Sequence, residues 1–300
     1  MTERKRLGIL RGGENDYFSS IKEGANILLH ISEHLSHKYK IVDILVDRDG
    51  VWHIKGLPVL PSDVMHRVDV VWNTASPKLS SVLKSFSIPV VSVSPFVHSV
   101  GQNRKFLEQH IKDLDIAMPR YIVFPVYQKD FDGPEKEYAR TKTQEVFRKF
   151  AGPWIVRSFA PEPSMGVHVA KTLPELERGI EDALMHKTSI LVEELISGRL
   201  APVHSILGFR GEEIYTFPLE NIFSSSEKER LEDLSKKLHR HLGDHVYLKS
   251  NFLVTPKGKI YLTGVLFNPN IEKSSHFHKS AESVGAKMHH IVEHILERVL

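Results

Sequence analysis

The stretch Tyr247–Asn270 has the sequence YLKSNFLVTPKGKIYLTGVLFNPN. Its residues alternate in character along Lys249–Leu253, and a second strand pattern runs through Ile260–Leu266. Between these runs lies Pro256–Gly258, which is typical of a tight turn. The stretch therefore predicts a β-hairpin, and the Asn-Pro-Asn break after it separates the hairpin from a last helix.

The first part of the chain alternates apolar runs with helical patterns. We predict strands at Leu7–Leu10, Ile41–Val46, Val68–Trp72 and Pro89–Val93. The first helix is expected to turn one face to the core, made of Ile21, Ala25, Leu28, Ser32 and Leu35. This alternation predicts a parallel, doubly wound α/β sheet over residues 1–95, with a ligand site in the loop after the first strand.

Two further blocks follow. Residues 96–188 contain a predicted helix at Val100–Leu114 and a capping box at Thr172 and Glu175 that starts another helix. Residues 189–300 contain two alternating strands, then a capping box at Ser226 and Glu229, and then the hairpin. We therefore expect three domains, at 1–95, 96–188 and 189–300.

The composition excludes several classes of protein. The chain has 300 residues, and its 40 basic side chains nearly balance 37 acidic ones, so the net charge of +3 is too small to recruit nucleic acid or a membrane surface. There is no cysteine, which excludes disulfides, zinc thiolates and a cysteine nucleophile. The charged N-terminus enters an apolar run too short for a signal peptide or membrane span, so we expect a cytoplasmic protein.

Histidine is unusually frequent, with 18 copies. The copies are scattered and lack the spacing of metal ligands, apart from His276-Phe277-His278. We interpret them as surface residues.

Several short stretches, taken in order, carry a resemblance to a known family. They are Leu10–Gly13, Asn15–Tyr17, Ser20–Gly24, Gly101–Arg104, Trp154–Arg157, Ser164–Val167, Leu191–Glu194, Ser197–Arg199 and the hairpin. From Leu7 to Leu300 the chain resembles a D-alanine–D-alanine ligase of the ATP-grasp superfamily. The resemblance implies an N-terminal Rossmann-like domain (α/β) followed by a two-lobed ATP-grasp fold (α+β).

The same resemblance implies an activity. Such ligases use ATP and Mg²⁺ to phosphorylate one D-alanine carboxylate, and the amine of a second amino acid then displaces the phosphate, in the synthesis of peptidoglycan precursors. They are usually homodimers. The small-molecule partners implied here are a nucleotide and a D-alanine-like amino acid.

The nucleotide-binding residues implied by the resemblance are only partly retained. Arg104 and Arg157 stand where the family has two phosphate-binding lysines, although both could instead form surface ion pairs. Ser164 and Gly166 match the end of the loop that covers the phosphates, unless this is an ordinary turn. The adenine-binding segment corresponds to Glu193 and Glu194. The acid expected on the ribose is replaced by Leu200, which cannot accept a hydrogen bond.

The substrate residues implied by the resemblance lie near the first helix and after the hairpin. Asp16 corresponds to the glutamate that meets the ammonium of the first D-alanine, and Tyr17, Ser20 and Ser275 also match. Asp16 could equally be an acid that stabilises a helix N-terminus. The family's His-Gly loop is replaced by residues 73–77.

The hairpin departs most from the family pattern. Where the family has arginine and aspartate on the first strand and glutamate and asparagine on the second, this chain has Lys249, Asn251, Gly264 and Leu266. Mg²⁺ prefers carboxylate oxygens, so these positions form no convincing metal site. Compensating acids that we suggest are Glu162, Glu220 and Glu272. Catalytic roles are expected for Lys249, Asp16 and Ser164.

Three functions follow from this pattern. We favour a ligase relative that is inactive or strongly impaired, a binding or regulatory protein that kept the fold and that forms a homodimer or a heteromer with an intact ligase. The first alternative is an active ATP-dependent ligase on D-alanine or a related amino acid. The second is a ligase with another acceptor that uses arginines in place of lysine and metal.

Overall fold

The computed structural model describes residues 3–14, 17–127, 131–158, 167–243 and 245–300. The chain divides into two compact units. Unit 1 comprises Met1–Ile116, Leu200–Phe252 and Gly264–Leu300, and unit 2 comprises Ala117–Arg199 and Leu253–Thr263. The three domains expected from the sequence stay a prediction.

Unit 1 begins with a six-stranded sheet in the order β4-β3-β2-β1-β5-β6. Its strands are β1 (Lys5–Gly12), β2 (Tyr39–Val46), β3 (Trp52–Ile54), β4 (Leu57–Val59), β5 (Val70–Asn73) and β6 (Val90–Val91). Strands β2, β1, β5 and β6 are parallel, as predicted. The segment that follows β2 forms β3 and β4, which extend the sheet with antiparallel pairs.

Helices cover both faces of this sheet. They are α1 (Tyr17–His34), α2 (Pro77–Ser85), α3 (Pro95–Gln102) and α4 (Arg104–Ile111). On one face, Trp72 joins a buried cluster with Ile27 and Ile31 of α1, whereas on the other face Val71 shares a cluster with Leu83 of α2. Two-sided burial explains why Leu7–Leu10 of β1 and Val70–Trp72 of β5 carry no charged residue.

The buried face of α1 differs from the predicted one. Leu35 is buried as expected, but the residues of α1 that are buried are Ser20, Gly24, Ile27 and Ile31. A Cβ added at Gly24 would lie 2.8 Å from Cβ of Arg11, so only glycine allows α1 to approach β1 this closely. The predicted buried face of α1 was therefore displaced by about one residue. Close packing against β1 requires small residues such as Gly24 at the contact.

The predicted helix at residues 100–114 is in fact two helices and a short 3₁₀ turn. Asn103 has extended backbone angles between α3 and α4, and its side chain accepts hydrogen bonds from the backbone N–H groups of Lys105 and Phe106. This cap starts α4 at Arg104, which is buried.

Unit 2 contains a four-stranded antiparallel sheet in the order β7-β10-β8-β9. Its elements are β7 (Tyr121–Phe124), α5 (Glu135–Lys149), β8 (Trp154–Ser158), β9 (His168–Ala170), α6 (Leu173–Leu184) and β10 (Ile190–Glu194). The predicted start of α6 is confirmed, since the Thr172 hydroxyl accepts the N–H of Glu175. The Glu175 carboxylate binds the N–H of Lys171, one residue before the cap.

A second four-stranded sheet has the order β12-β11-β13-β14. Its strands are β11 (Arg199–Leu207), β12 (Ile214–Thr216), β13 (Tyr247–Val254) and β14 (Ile260–Leu266), and the remaining helices are α7 (Ser225–Leu242), α8 (His276–Ser283) and α9 (Met288–Glu297). The capping box of α7 is formed by Ser224 and Glu227, not by Ser226 and Glu229. Both pairs have the same spacing, and the buried Phe223 lies directly before the pair that is used.

The hairpin of β13 and β14 agrees with the prediction, with a longer first strand. The N–H of Gly258 donates to the carbonyl of Thr255 at 2.9 Å and closes the turn. Ser250 and Phe252 are buried, whereas Lys249 and Asn251 alternate with them and are half-buried. No helix in the described part of the chain is long and apolar enough to cross a membrane.

Candidate active site

A cavity of about 520 Å³ lies within unit 1. Its wall combines α1, the loop at residues 73–77, the hairpin strands and α8. Six of the residues on that wall are Ser20, Glu23, Thr74, Lys249, Ser275 and His276. The cavity lies at the C-terminal ends of the parallel strands β1 and β5, where α/β sheets bind ligands. The ligand site expected after β1 is therefore near this cavity.

Lys249 supplies a positive charge to the cavity. It lies on β13, and it makes no ion pair with any residue that the structure describes. Burial lowers the pKa of its ammonium group. Among the described residues on the cavity wall, the one carboxylate is Glu23. An anionic group in the cavity would therefore find a partly desolvated cation without a carboxylate bound to it.

A chain of hydrogen bonds leads from the core to the cavity. The Tyr247 hydroxyl lies 2.8 Å from Nδ1 of His204, and Nε2 of His204 lies 2.9 Å from Nδ1 of His276. On the far side, Nε2 of His276 is 3.6 Å from a carboxylate oxygen of Glu220. Burial is the main cause that lowers the pKa of both histidines, so each favours its neutral form.

The interpretation of the histidines as surface residues is wrong for three of them. His204, His239 and His245 are almost fully buried. His276, from the one tightly spaced group in the sequence, faces the cavity. The spacing of His276 and His278 was the available signal, but it could not show that His204 lies beside them.

The two serines predicted to bind substrate border the cavity, but their hydroxyls have partners already. The Ser20 oxygen accepts the N–H of Gly12 at 2.8 Å. The Ser275 hydroxyl donates to the carbonyl of Asn270 at 2.8 Å and caps α8 by accepting the N–H of His278. These bonds shape the cavity wall, and direct substrate binding by either hydroxyl stays a prediction.

Tyr17, the other predicted substrate residue that the structure describes, is not on the cavity wall. Tyr17 packs edge-on against Phe18, and the Arg48 guanidinium lies 5.3 Å above the Tyr17 ring. Asp16, Ser164 and Gly166 lie outside the described residues, so their predicted roles stay predictions.

The three hairpin residues predicted to stand at the family's metal-binding positions lie on the open side of the strands. Asn251 and Gly264 are half-buried, and Leu266 is 44% exposed. A Cβ added at Gly264 would meet no atom within 4 Å. In the described part of the chain, no group of three or more histidine, aspartate or glutamate side chains is arranged to hold a metal.

Glu220 and Glu272, two of the acids suggested to replace the missing metal ligands, interact with other side chains. Glu220 is mostly exposed and lies beside His276. The Glu272 carboxylate accepts hydrogen bonds from Lys22 and Asn26, and the Lys22 ammonium is the main cause that lowers its pKa. Glu162 lies outside the described residues.

Unit 2 holds the two residues predicted to bind adenine and Arg157, one of the two arginines predicted to bind phosphate. The buried Glu193 lies 3.4 Å from the guanidinium of Arg157. Glu194 accepts two hydrogen bonds from Arg120, which lower the pKa of its carboxyl group. A phosphate that bound Arg157 would therefore compete with the Glu193 carboxylate. The other arginine predicted to bind phosphate, Arg104, belongs to unit 1 and is buried at the start of α4.

Comparisons with known proteins agree with this architecture. The family model for the D-ala D-ala ligase C-terminus matches residues 110–225. A D-alanine–D-alanine ligase of Borreliella afzelii is 23% identical over 226 residues, and this match covers 65% of the chain but only 60% of that relative. A D-alanine–D-alanine ligase of Aquifex aeolicus is 22% identical over 97% of the chain and 99% of its own length.

The solved structures give the same fold. The structure of D-alanyl-alanine synthetase A from Vibrio cholerae matches with a TM-score of 0.79 at 16% identity, and the match covers 100% of this chain and 99% of that one. The predicted α/β architecture with an ATP-grasp fold is therefore confirmed. In sequence this chain is similar to D-alanine–D-alanine ligases, whose C-terminal family model matches residues 110–225, and it shares their fold.

Proposed function

We propose that this protein binds a small amino acid in the cavity of unit 1 and that its ATP-dependent ligation is absent or strongly impaired. The observation that carries the proposal is the composition of the hairpin, where the resemblance places Asn251, Gly264 and Leu266 at the family's metal-binding positions. Mg²⁺ requires several oxygen ligands in near-octahedral geometry. These three side chains offer one neutral oxygen between them, so they do not fit the metal.

Loss of the metal site has a direct chemical consequence. Phosphoryl transfer depends on cations that neutralise the charge of the triphosphate. Arg157 could supply part of that charge, but Glu193 already neutralises it. Leu200, which replaces the expected ribose ligand, is 68% exposed and cannot accept a hydrogen bond. The described residues therefore fit ATP less well than those of the family pattern.

The cavity supports the amino-acid part of the proposal. Lys249 provides a cation for the carboxylate of an amino acid. Glu23, on the same cavity wall, provides an anion for its ammonium group. A zwitterion needs both charges. The volume of about 520 Å³ leaves room for a ligand larger than a single alanine.

A second candidate function is an active ligase, on D-alanine or another amino acid, with an altered metal and phosphate site. The match to the Aquifex aeolicus ligase over nearly the full length of both chains favours it. So does the positive charge kept at Arg104, Arg157 and Lys249. A role in peptidoglycan precursor synthesis, a cytoplasmic location, and a homodimer or a heteromer with an intact ligase also stay predictions.

Calorimetric titration with ATP, with and without Mg²⁺, tests the proposal when combined with an assay of phosphate release in the presence of D-alanine. We expect no Mg²⁺-dependent gain in ATP affinity and no turnover, while D-alanine alone binds. Mg²⁺-dependent ATP binding with phosphate release would contradict the proposal of an impaired enzyme and support the second candidate function, an active ligase.

A restored hairpin provides the matched comparison. The triple substitution Asn251→Asp, Gly264→Glu, Leu266→Asn places oxygen ligands on the open side of the strands, where Gly264 has free space around it. We expect this variant to gain Mg²⁺-dependent ATP affinity. If Mg²⁺ does not raise the ATP affinity of this triple variant, the cause of the weak ATP binding lies elsewhere in the site.

A further inference from the structure

The hydrogen-bond chain from Tyr247 to His276 has a direction. Tyr247 is fully buried, and its hydroxyl has one hydrogen to donate. Among the described residues, Nδ1 of His204 is the one acceptor within hydrogen-bond distance of that hydroxyl, at 2.8 Å. If Nδ1 of His204 carried a hydrogen instead, the phenol hydrogen would be buried without an acceptor, which is costly. The hydroxyl of Tyr247 therefore donates to His204.

The donor and acceptor roles of the next hydrogen bond follow from this first one. A neutral imidazole carries one hydrogen, so a His204 that accepts at Nδ1 donates from Nε2. That nitrogen lies 2.9 Å from Nδ1 of His276, which must accept. The Ser280 hydroxyl, 3.4 Å from the same Nδ1, can only reinforce this arrangement as a second donor. The hydrogen-bond pattern thus assigns the hydrogen of His276 to Nε2.

The remaining nitrogen of His276 is available to a ligand. Nε2 makes no hydrogen bond with a described residue, since the nearest carboxylate oxygen, on Glu220, is 3.6 Å away. The side chain is 25% exposed and borders the same cavity as Lys249. Two donors, one neutral and one cationic, therefore face one cavity.

We propose that Tyr247 and His204 are positioning residues that hold His276 in its Nε2–H form, so that His276 and Lys249 together bind an anionic oxygen of the ligand. The ligand class is a carboxylate or a phosphate. Only the identity of this ligand as an amino acid rests on the function proposed above.

Burial strengthens this arrangement. His204 is almost fully buried, so a proton on its ring would have to leave water, and its pKa lies well below the ordinary value. His204 consequently remains neutral near pH 7 and keeps donating to His276. A neutral donor beside Lys249 adds a directed hydrogen bond without adding a second repelling charge.

Long-range ¹H–¹⁵N NMR of histidine-labelled protein tests the tautomer directly. We expect His276 to show a protonated Nε2 and an unprotonated Nδ1 in the wild type. In Tyr247→Phe, Nδ1 of His204 loses its donor, so both tautomers of His276 become accessible and its nitrogen shifts should average. Tyr215→Phe is the control, because it removes another hydroxyl from the same aromatic cluster without touching His204.

Titration with inorganic phosphate and with D-alanine tests the donor role. We expect each probe to shift the Nε2 resonance of His276, with affinity about tenfold weaker in His276→Leu. A shift with phosphate but no binding of D-alanine would contradict the proposed function and support the donor role. Protonation of His276 at Nδ1 in the wild type, or no shift with either probe, would overturn the inference. Thermal unfolding of each variant separates loss of the bond from loss of the fold.

Discussion

The imidazole of His34 on α1 stacks on that of His289 on α9, with ring centroids 5.1 Å apart. His30, one helical turn before His34, lies 6.4 Å from the His289 ring. Burial, followed by the neighbouring charges of His34, His289, His278 and Lys273, lowers the pKa of His30 to about 4. The cluster joins the first and last helices of unit 1 through neighbouring imidazoles.

This cluster should make unfolding depend on pH. The unfolded chain binds a proton at His30 near pH 6.5 but the folded chain only near pH 4, so stability is complete above about pH 6.5 and falls between those values. Discounted for solvent screening, the loss attributable to His30 is about 1 to 2 kcal/mol. Urea unfolding at pH 5 and pH 7.5 measures it. His30→Gln should reduce the difference, whereas exposed His37→Gln should not, and equal differences in both variants would contradict the assignment.

Removal of the Lys249 charge should separate binding from stability. Lys249→Met loses a charged hydrogen bond to an anionic ligand, which should weaken D-alanine or phosphate binding about 10- to 100-fold. Because burial already disfavours the ammonium, the free energy of unfolding should hold or rise by up to about 1 kcal/mol. Lys257→Met in the exposed turn is the control. Parallel loss of binding and stability would indicate a structural role only.

Substitution of Glu220 should act in the opposite direction. Its carboxylate raises the pKa of His276 and would repel an anion near Nε2. In Glu220→Gln we expect a further lowered pKa of His276 and phosphate binding about two- to fivefold tighter, which NMR titration can measure together. Glu229→Gln on the exposed side of α7 provides the control. Weaker phosphate binding in Glu220→Gln would mean that the carboxylate helps to hold the ligand.

Two glycines should respond differently to alanine. Gly24→Ala forces the new methyl group to 2.8 Å from Cβ of Arg11 and 3.1 Å from the Thr74 hydroxyl, so α1 must shift, and we expect a loss of about 1 to 3 kcal/mol. Gly264→Ala adds a methyl group in open space and should be neutral or slightly stabilising. Chemical denaturation measures both. A tolerated Gly24→Ala would show that α1 does not need this close approach.

The start of α7 gives a further test. Ser224→Ala removes the hydroxyl that accepts the N–H of Glu227 and should cost about 1 kcal/mol. Ser226→Ala, at the position predicted from the sequence, should cost little because its hydroxyl does not cap the helix. A larger loss of stability in Ser226→Ala than in Ser224→Ala would support the capping box predicted at Ser226 and Glu229.

Periodicity and turn chemistry predicted the elements that depend on nearby residues. The strand Ile260–Leu266 and the start of α6 at Thr172 were confirmed, since both are determined by residues a few positions apart. The buried face of α1 was not, because it depends on how closely Arg11 and Thr74 approach Gly24. Local pattern also offered two equivalent caps for α7, and only tertiary packing around Phe223 distinguishes them.

The candidate site could be predicted to a similar extent. Lys249, Ser20 and Ser275 were identified through the resemblance, and all three border one cavity. The pairing of His204 with His276 was missed because 72 residues separate them, and no spacing rule connects a buried strand histidine to a helix so far along the chain. Their hydrogen bond depends on the packing of β11 against α8.

Unit 1 consists of three chain segments, with most of unit 2 between the first and the second. Its buried cluster combines Leu7 and Ile27 from the first segment with Phe277 and Ile291 from the last. During synthesis, the first segment therefore emerges from the ribosome long before the side chains that cover it. The early strands therefore remain without this cover until α8 and α9 have been made. A premature stop before those helices would leave a wide apolar surface open to chaperones and proteases.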